Sequence, residues 1–96
     1  MNKVNIAIQV LPKSKNNDEY NIIDNAIECI QKSGLKYKVC PFETVIEGEY
    51  DKIIKLVQNI KETCFSTGAY ELIMNLKIHA RRGKDVLINE KMNKYE

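Results

Sequence analysis

Tryptophan is absent from this 96-residue chain, histidine occurs once, at His79, and proline occurs twice, at Pro12 and Pro41. One histidine and no carboxylates clustered at ligand spacing leave nothing to hold a metal ion. Four scattered glycines, Gly34, Gly48, Gly68 and Gly83, make neither a phosphate loop nor a dinucleotide-binding fingerprint. The three cysteines, Cys29, Cys40 and Cys64, include no C-x-x-C pair. That excludes a zinc ribbon and a thioredoxin-type motif, and reads as reduced thiols in a cytoplasmic protein. No apolar run approaches the ~20 residues of a membrane span. Met1-Asn2-Lys3 leads straight into Val4–Leu11, which is too short for a secretory signal.

A strong charge of either sign is also missing. Fifteen Lys and Arg stand against 13 Asp and Glu, for a formal net charge of +2. A dedicated nucleic-acid or membrane-surface binder carries a larger basic excess, so neither partner is expected. What is present suits a globular domain, with 44% hydrophobic residues in a chain of single-domain length, residues 1–96. Such a chain builds one thin core, and domains of this size often gain stability by self-association.

Hydrophobic periodicity gives the order of elements. Val4, Ile6, Ile8 and Val10 alternate with Asn5, Ala7 and Gln9, which predicts a strand that Pro12 ends. Lys13–Asp18 is polar and predicts a loop. Ile23, Ala26, Ile27 and Ile30 fall at helical spacing between Glu19 and Ser33, with Gly34 as the stop. Leu35–Cys40 alternates again, Pro41-Phe42 interrupts it, and Thr44–Gly48 is a short β-branched strand. Asp51 is placed to cap a second helix with the stripe Ile53, Ile54, Val57, Ile60 and Cys64, which Gly68 closes. Tyr70–His79 sets Leu72, Met74, Leu76 and Ile78 against Ile73, Asn75 and Lys77. A last helix is expected from Asp85, with Ile88, Met92 and Tyr95 on one stripe.

The order β-α-β-β-α-β, with a short C-terminal helix, predicts an α+β ferredoxin-like fold: an antiparallel sheet with two helices on one face and the first and third strands central. The other face, with Asn5, Ala7, Gln9, Ile73, Asn75 and Lys77, is half apolar and suggests burial against a second subunit.

Catalytic chemistry finds little to use. A Cys–His dyad with His79 has no pairing signal, and Cys29 and Cys64 lie near apolar helix stripes. Cys40, before Pro41, sits near a strand-end cleft and leaves a thiol enzyme or redox sensor as a third reading. The basic run Lys77, Arg81, Arg82, Lys84 reads as a solvated or salt-bridged surface, although it is able to meet an anion. Glu47 is different, because a carboxylate amid β-branched residues of a central strand needs a partner. An ion pair between subunits is the plain explanation of it, and hydrogen bonds across such an interface explain Gln9 and Asn75.

Several segments together resemble the small thiamine-binding protein family of the YkoF-like type. They are Ile6–Pro12, Ile23-Asp24-Asn25-Ala26-Ile27, Ser33–Tyr37, Pro41-Phe42 with Thr44–Gly48, and Asn75-Leu76-Lys77-Ile78 followed by Arg81-Arg82. The resemblance spans nearly the whole chain, and Pro41–Gly48 is its most specific part. It implies a homodimer or homotetramer formed through the open sheet faces. It also implies non-catalytic binding of thiamine, or its hydroxymethylpyrimidine half, near subunit interfaces and without a separate cofactor. The residues that suit this ligand are Glu47, Thr44, Asn75, Gln9 and Phe42. A carboxyl group and primary amides match the donor and acceptor edge of an aminopyrimidine, and an aromatic ring suits stacking or a cationic thiazolium. Strict alternation places Thr44 and Glu47 on opposite faces, so one site reaches both only through a bulge or a strand end. The rival reading is a structural or regulatory homo-oligomer with no thiamine ligand.

Overall fold

The computed structural model describes residues 2–96. Strands β1 (Lys3–Ser14), β2 (Lys36–Val39), β3 (Thr44–Glu49) and β4 (Ala69–His79) form one sheet in the order β2-β3-β1-β4. Every neighbouring pair is antiparallel, and β1 and β3 are central. Helices α1 (Glu19–Lys32) and α2 (Tyr50–Ser66) supply the two crossovers and pack together against the sheet. A short helix, α3 (Ile88–Met92), and one 3-10 turn (Asn93–Tyr95) end the chain. This is the ferredoxin-like arrangement that the alternation predicts. No helix among the described residues is long and apolar enough to cross a membrane.

The core is built almost entirely from isoleucine. Ile6 and Ile46 from the central strands meet Ile22 and Ile30 of α1 and Ile53 and Ile60 of α2, all essentially excluded from solvent. Each contributes about 1.5–3 kcal/mol by leaving water, and β-branched chains suit the strand positions. The buried helix stripes are centred one position away from the expected ones. Ile22 and Leu56 are buried, while Ile23, Ile27, Ile54 and Val57 flank them half-buried. A wide apolar arc fixes that a helix docks, and packing against the sheet fixes which line of it points inward.

Backbone geometry explains the helix ends. Gly34 follows α1 at φ +79°, a left-handed conformation that a Cβ disfavours. At Gly48 the need is for space, since a Cβ there would lie 3.1 Å from Leu35 Cδ2 and 3.7 Å from Ile53 Cγ1. Asp51 does not cap α2. The helix starts at Tyr50 after an extended Glu49, no side chain caps it, and Asp51 lies in the first turn, where negative charge favours the helix dipole.

Three further expectations change. Pro12 does not end β1, which continues to Ser14 paired with β4 through Pro12↔Leu72. The reason is that β3 stops opposite Ile8, so beyond it β1 has only one neighbour and one edge needs no N–H donor. In β4, Leu72 and Met74 pack against the core, but Leu76 and Ile78 stay exposed because the helices leave that part of an edge strand uncovered.

The third change concerns the C-terminal segment, whose helix starts at Ile88 and not at Asp85. Asp85 Oδ1 accepts the Lys3 N–H at 2.7 Å, and the Val86 N–H donates to Lys3 O at 2.9 Å. Val86 thereby uses a β1 backbone group beyond the end of β4, which stops opposite Asn5. The segment then crosses the sheet face opposite the helices. Asn5 Nδ2 donates to Val86 O at 3.0 Å, and the Ile88 N–H donates to Glu47 Oε1 at 2.7 Å. Lys38 and Glu96 pair at the far end. Asn5, Ala7 and Glu47 are buried beneath this strap, so the open face is open over only part of its length.

Replacing Glu47 by alanine removes a buried acceptor and leaves the first N–H of α3 without a partner. Urea unfolding should show a loss of about 1–3 kcal/mol, with faster amide exchange at Ile88. Glu47→Gln, which keeps an oxygen, should lose less. Unchanged exchange in Glu47→Ala would mean that the carboxyl group does not hold the strap.

Candidate functional site

The register of the sheet creates a gap. β1 has 12 residues and β3 only 6, so β1 runs on alone past Ile8 on its β3 side. Beside the unpaired edge stands the turn between β2 and β3, closed by the Cys40 N–H donating to Glu43 O at 3.0 Å. Cavities open on both sides of this gap. One, of about 460 Å³, lies on the open face and is lined by Gln9, Cys40, Pro41, Phe42, Glu43, Asn75 and Lys77. The other, of about 400 Å³, lies on the helix side, where Val10, Ile23, Ile27, Val39 and Phe42 give apolar walls and Thr44 a hydroxyl.

The open-face cavity is polar in a patterned way. Asn75 Nδ2 donates to Gln9 Oε1 at 3.1 Å, following the pairing of these residues across β1 and β4. That bond leaves the Gln9 amide NH2 and the Asn75 carbonyl to bond elsewhere. Lys77 Nζ lies 3.3 Å from Glu43 Oε1, so the carboxyl group here already has a cationic neighbour. Phe42, 81% exposed at the tip of the turn, borders both cavities. An aromatic face, a carboxyl group and a mixed donor–acceptor amide pair are the elements that recognise a small planar nitrogen heterocycle.

The five residues singled out from sequence therefore do not share one place. Gln9, Asn75 and Phe42 meet at the open-face cavity. Thr44 is buried and faces the helix side with Ile8, its partner across the sheet. Glu47 lies four residues beyond Glu43, roughly 13 Å along the strand, with its carboxyl group on the Ile88 amide. β3 is regular and unbulged, so the alternation that separates Thr44 from Glu47 is not relieved.

Glu43 and Lys77 are the polar residues that sequence reasoning left out of the site. The signal for Glu43 was available: alternation puts it on the same face as Glu47, nearer the turn that carries Phe42. Lys77 is placed by alternation on the open face and also belongs to the basic run. That run is partly neutralised within the chain, by Glu43 at Lys77 and by Glu90 at Arg81, 3.9 Å away. Lys91 Nζ, on the strap, donates to His79 Nδ1 at 3.0 Å. Burial, with Arg81 nearby, holds the Lys91 ammonium below its ordinary value, while Glu47 pulls it the other way.

The thiols differ among themselves. Cys64 is buried, and burial together with Cys29 pushes its pKa up, so it stays protonated and inert at neutral pH. Cys29 lies 3.2 Å from the Thr63 hydroxyl between the helices. Cys40 is half-buried in the turn and borders both cavities. No cluster able to hold a metal ion occurs among the described residues.

Known proteins resemble this chain over nearly its whole length. A UPF0045 protein of Clostridium perfringens is 35% identical over 95 residues, covering 99% of each chain. The structure of a DUF77 domain of unknown function from Bacillus cereus superposes with a TM-score of 0.95 at 39% identity, over 99% of this chain and 91% of that one. A proposed thiamine biosynthesis/salvage protein from Thermotoga maritima superposes at 0.89 with 33% identity, over 98% and 99%. The family model described as thiamine-binding protein matches residues 6–96, from the first core isoleucine through the whole strap. By sequence and by fold, the chain belongs to the thiamine-binding protein family.

Proposed function

We propose that this protein binds thiamine, or its hydroxymethylpyrimidine half, as a cytoplasmic homo-oligomer that performs no chemistry on the ligand. The observation that carries the reading is the open-face cavity, where Phe42, Glu43, Gln9 and Asn75 converge beside the end of β3. The Glu43 carboxyl group accepts from the exocyclic amine of the pyrimidine, and the Gln9–Asn75 amide pair answers the ring nitrogens. Phe42 lies against the pyrimidine or the cationic thiazolium. Thr44 contributes from the helix side of the same gap. Glu47 acts indirectly, by holding the strap that borders the face.

Self-association is supported by exposed apolar surface. The chain exposes 6450 Å², against about 5,700 Å² expected for a monomer of its mass. Leu11 and Ile73, paired across β1 and β4, are 42% and 47% exposed on the face next to the cavity. A second subunit covering them would place the ligand near the interface. The rival reading, a regulatory or structural oligomer, predicts the same assembly without a ligand.

Calorimetric titration with thiamine, then with hydroxymethylpyrimidine, separates the two. Saturable heat with a fixed ratio per subunit is expected. Phe42→Ala and Glu43→Gln should each weaken binding about tenfold, the equivalent of about 1.4 kcal/mol. Glu47→Gln should change affinity less than Glu43→Gln. Absence of heat with either compound, on folded protein, would remove thiamine from the proposal and leave the oligomer.

Alkylation places the ligand independently. In the native protein iodoacetamide should modify Cys40 before Cys64, and saturating thiamine should slow the Cys40 reaction. Binding that leaves the Cys40 rate unchanged would locate the ligand away from the β2–β3 turn.

A further inference from the structure

The sheet ends in two edges that the chain treats differently. β2 is four residues long, carries Lys36 and Lys38, and is exposed throughout. Short edges that bear lysine resist pairing with another chain. β4, at the opposite edge, runs for eleven residues without a proline or a glycine. From Glu71 to His79 it pairs regularly with β1, and its other side faces no strand of its own sheet. Its two charged side chains do not blunt that edge. Glu71 is drawn to Lys13 at 2.7 Å and Lys77 to Glu43 at 3.3 Å, both back across the sheet. A long edge with apolar side chains and unguarded backbone groups is a template for a further strand.

The residues of β4 are complementary to themselves about Met74. An antiparallel copy, related by a twofold axis through Met74 perpendicular to the sheet, sets Glu71 opposite the partner's Lys77, and Lys77 opposite the partner's Glu71. Together with the pairs already present, the open face then carries charges that alternate in sign: Lys13, Glu71, the partner's Lys77 and the partner's Glu43. On the helix face Leu76 falls opposite the partner's Leu72, and Ile78 opposite the partner's Tyr70. Leu76 and Ile78 are the residues that the chain's own helices leave exposed, whereas Leu72 packs against the core. Each copy thereby covers what the other exposes. An axis shifted by one residue, to Asn75, loses both ion pairs and sets Lys77 against the partner's Ile73.

We infer that two copies of this chain associate through β4, antiparallel and centred on Met74, so that two four-stranded sheets become one continuous sheet. The same register brings the partner to the open-face cavity. Asn75 and Lys77 line that cavity, and the partner's Ile73 and the partner's Glu71 stand directly opposite them. Lys77, shared between Glu43 and the partner's Glu71, leaves the Glu43 oxygens freer to accept from a ligand. That consequence rests on the ligand reading above, whereas the pairing of the edges does not.

The test is sedimentation of the full chain, without ligand, for the parent and for Glu71→Lys and Lys77→Glu. Association of the parent to twice its mass or more is expected. Each single variant sets like charges opposite one another at both symmetry-related positions, and its copies should associate at least about tenfold more weakly. An equimolar mixture of the two variants should recover the association of the parent, because the mixed pair restores opposite charges at both positions. Mixing changes nothing within a chain at Lys13 or Glu43, so recovery reads the contact between chains. A monomeric parent would overturn the inference. Variants that associate like the parent, or a mixture no stronger than its components, would overturn it equally. Recovery in the mixture with no heat from thiamine would uphold the edge pairing and remove the ligand reading. A monomer that binds thiamine would do the reverse.

Discussion

β1 is paired with strands on both sides from Asn5 to Ile8 and on one side beyond, because β3 reaches only from Glu49 to Thr44 against it. Backbone groups along a buried strand edge need partners, so the uncovered half cannot simply be packed over with side chains. A proline at Pro12 and a turn standing off the edge are the local answers to that constraint. The same mismatch that exempts Pro12 from donating also keeps the Cys40–Glu43 turn away from Gln9–Leu11, and cavities open on both faces of the sheet. The place where the sheet is incomplete is thus also the place where it has room for a ligand.

At the other end of β1 the mismatch runs the opposite way. There β4 stops at His79 while β1 begins at Lys3, and the chain fills the deficit with its own C-terminal segment, through Val86 on Lys3. Burying Asn5 and Glu47 under that segment costs desolvation, and each recovers a hydrogen bond to the strap. The recovery is incomplete, since Asn5 Oδ1 is buried without a partner among the described residues. A purely apolar contact would have avoided this loss. Paired polar groups instead fix one register for a short segment that has little periodicity of its own.

The sequence made much of this legible. Alternation located all four strands, Gly34 marked the end of α1 by the conformation it adopts, and the β-α-β-β-α-β order placed β1 and β3 at the centre. What stayed hidden depended on relations between elements. Pro12 looks like a strand end unless the length of β3 is known. Asp51 looks like a cap unless the helix is known to begin at once after β3. Ile22 and Leu56 differ from their flanking neighbours only in how the helices roll on the sheet. The site divided in the same manner. Gln9, Asn75 and Phe42 could be seen as a group from face and turn, whereas seeing that Glu43 lies beside them and Glu47 does not requires knowing where the C-terminal segment crosses the sheet.

The separation of the two ends also bears on chemistry. Cys40 and His79 are the only thiol–imidazole pair that the residues suggest for nucleophilic catalysis, and the sheet divides them. His79 pairs with Asn5 at the strapped end, while Cys40 stands at the turn beside Gln9, four residues or roughly 13 Å further along β1. The imidazole is engaged with Lys91, and the thiol donates to the Lys38 carbonyl at 3.9 Å. The two residues therefore do not form a Cys–His dyad. Around the gap the groups that do converge, amides, a carboxyl group and an aromatic ring, can hold a planar ligand in a defined orientation.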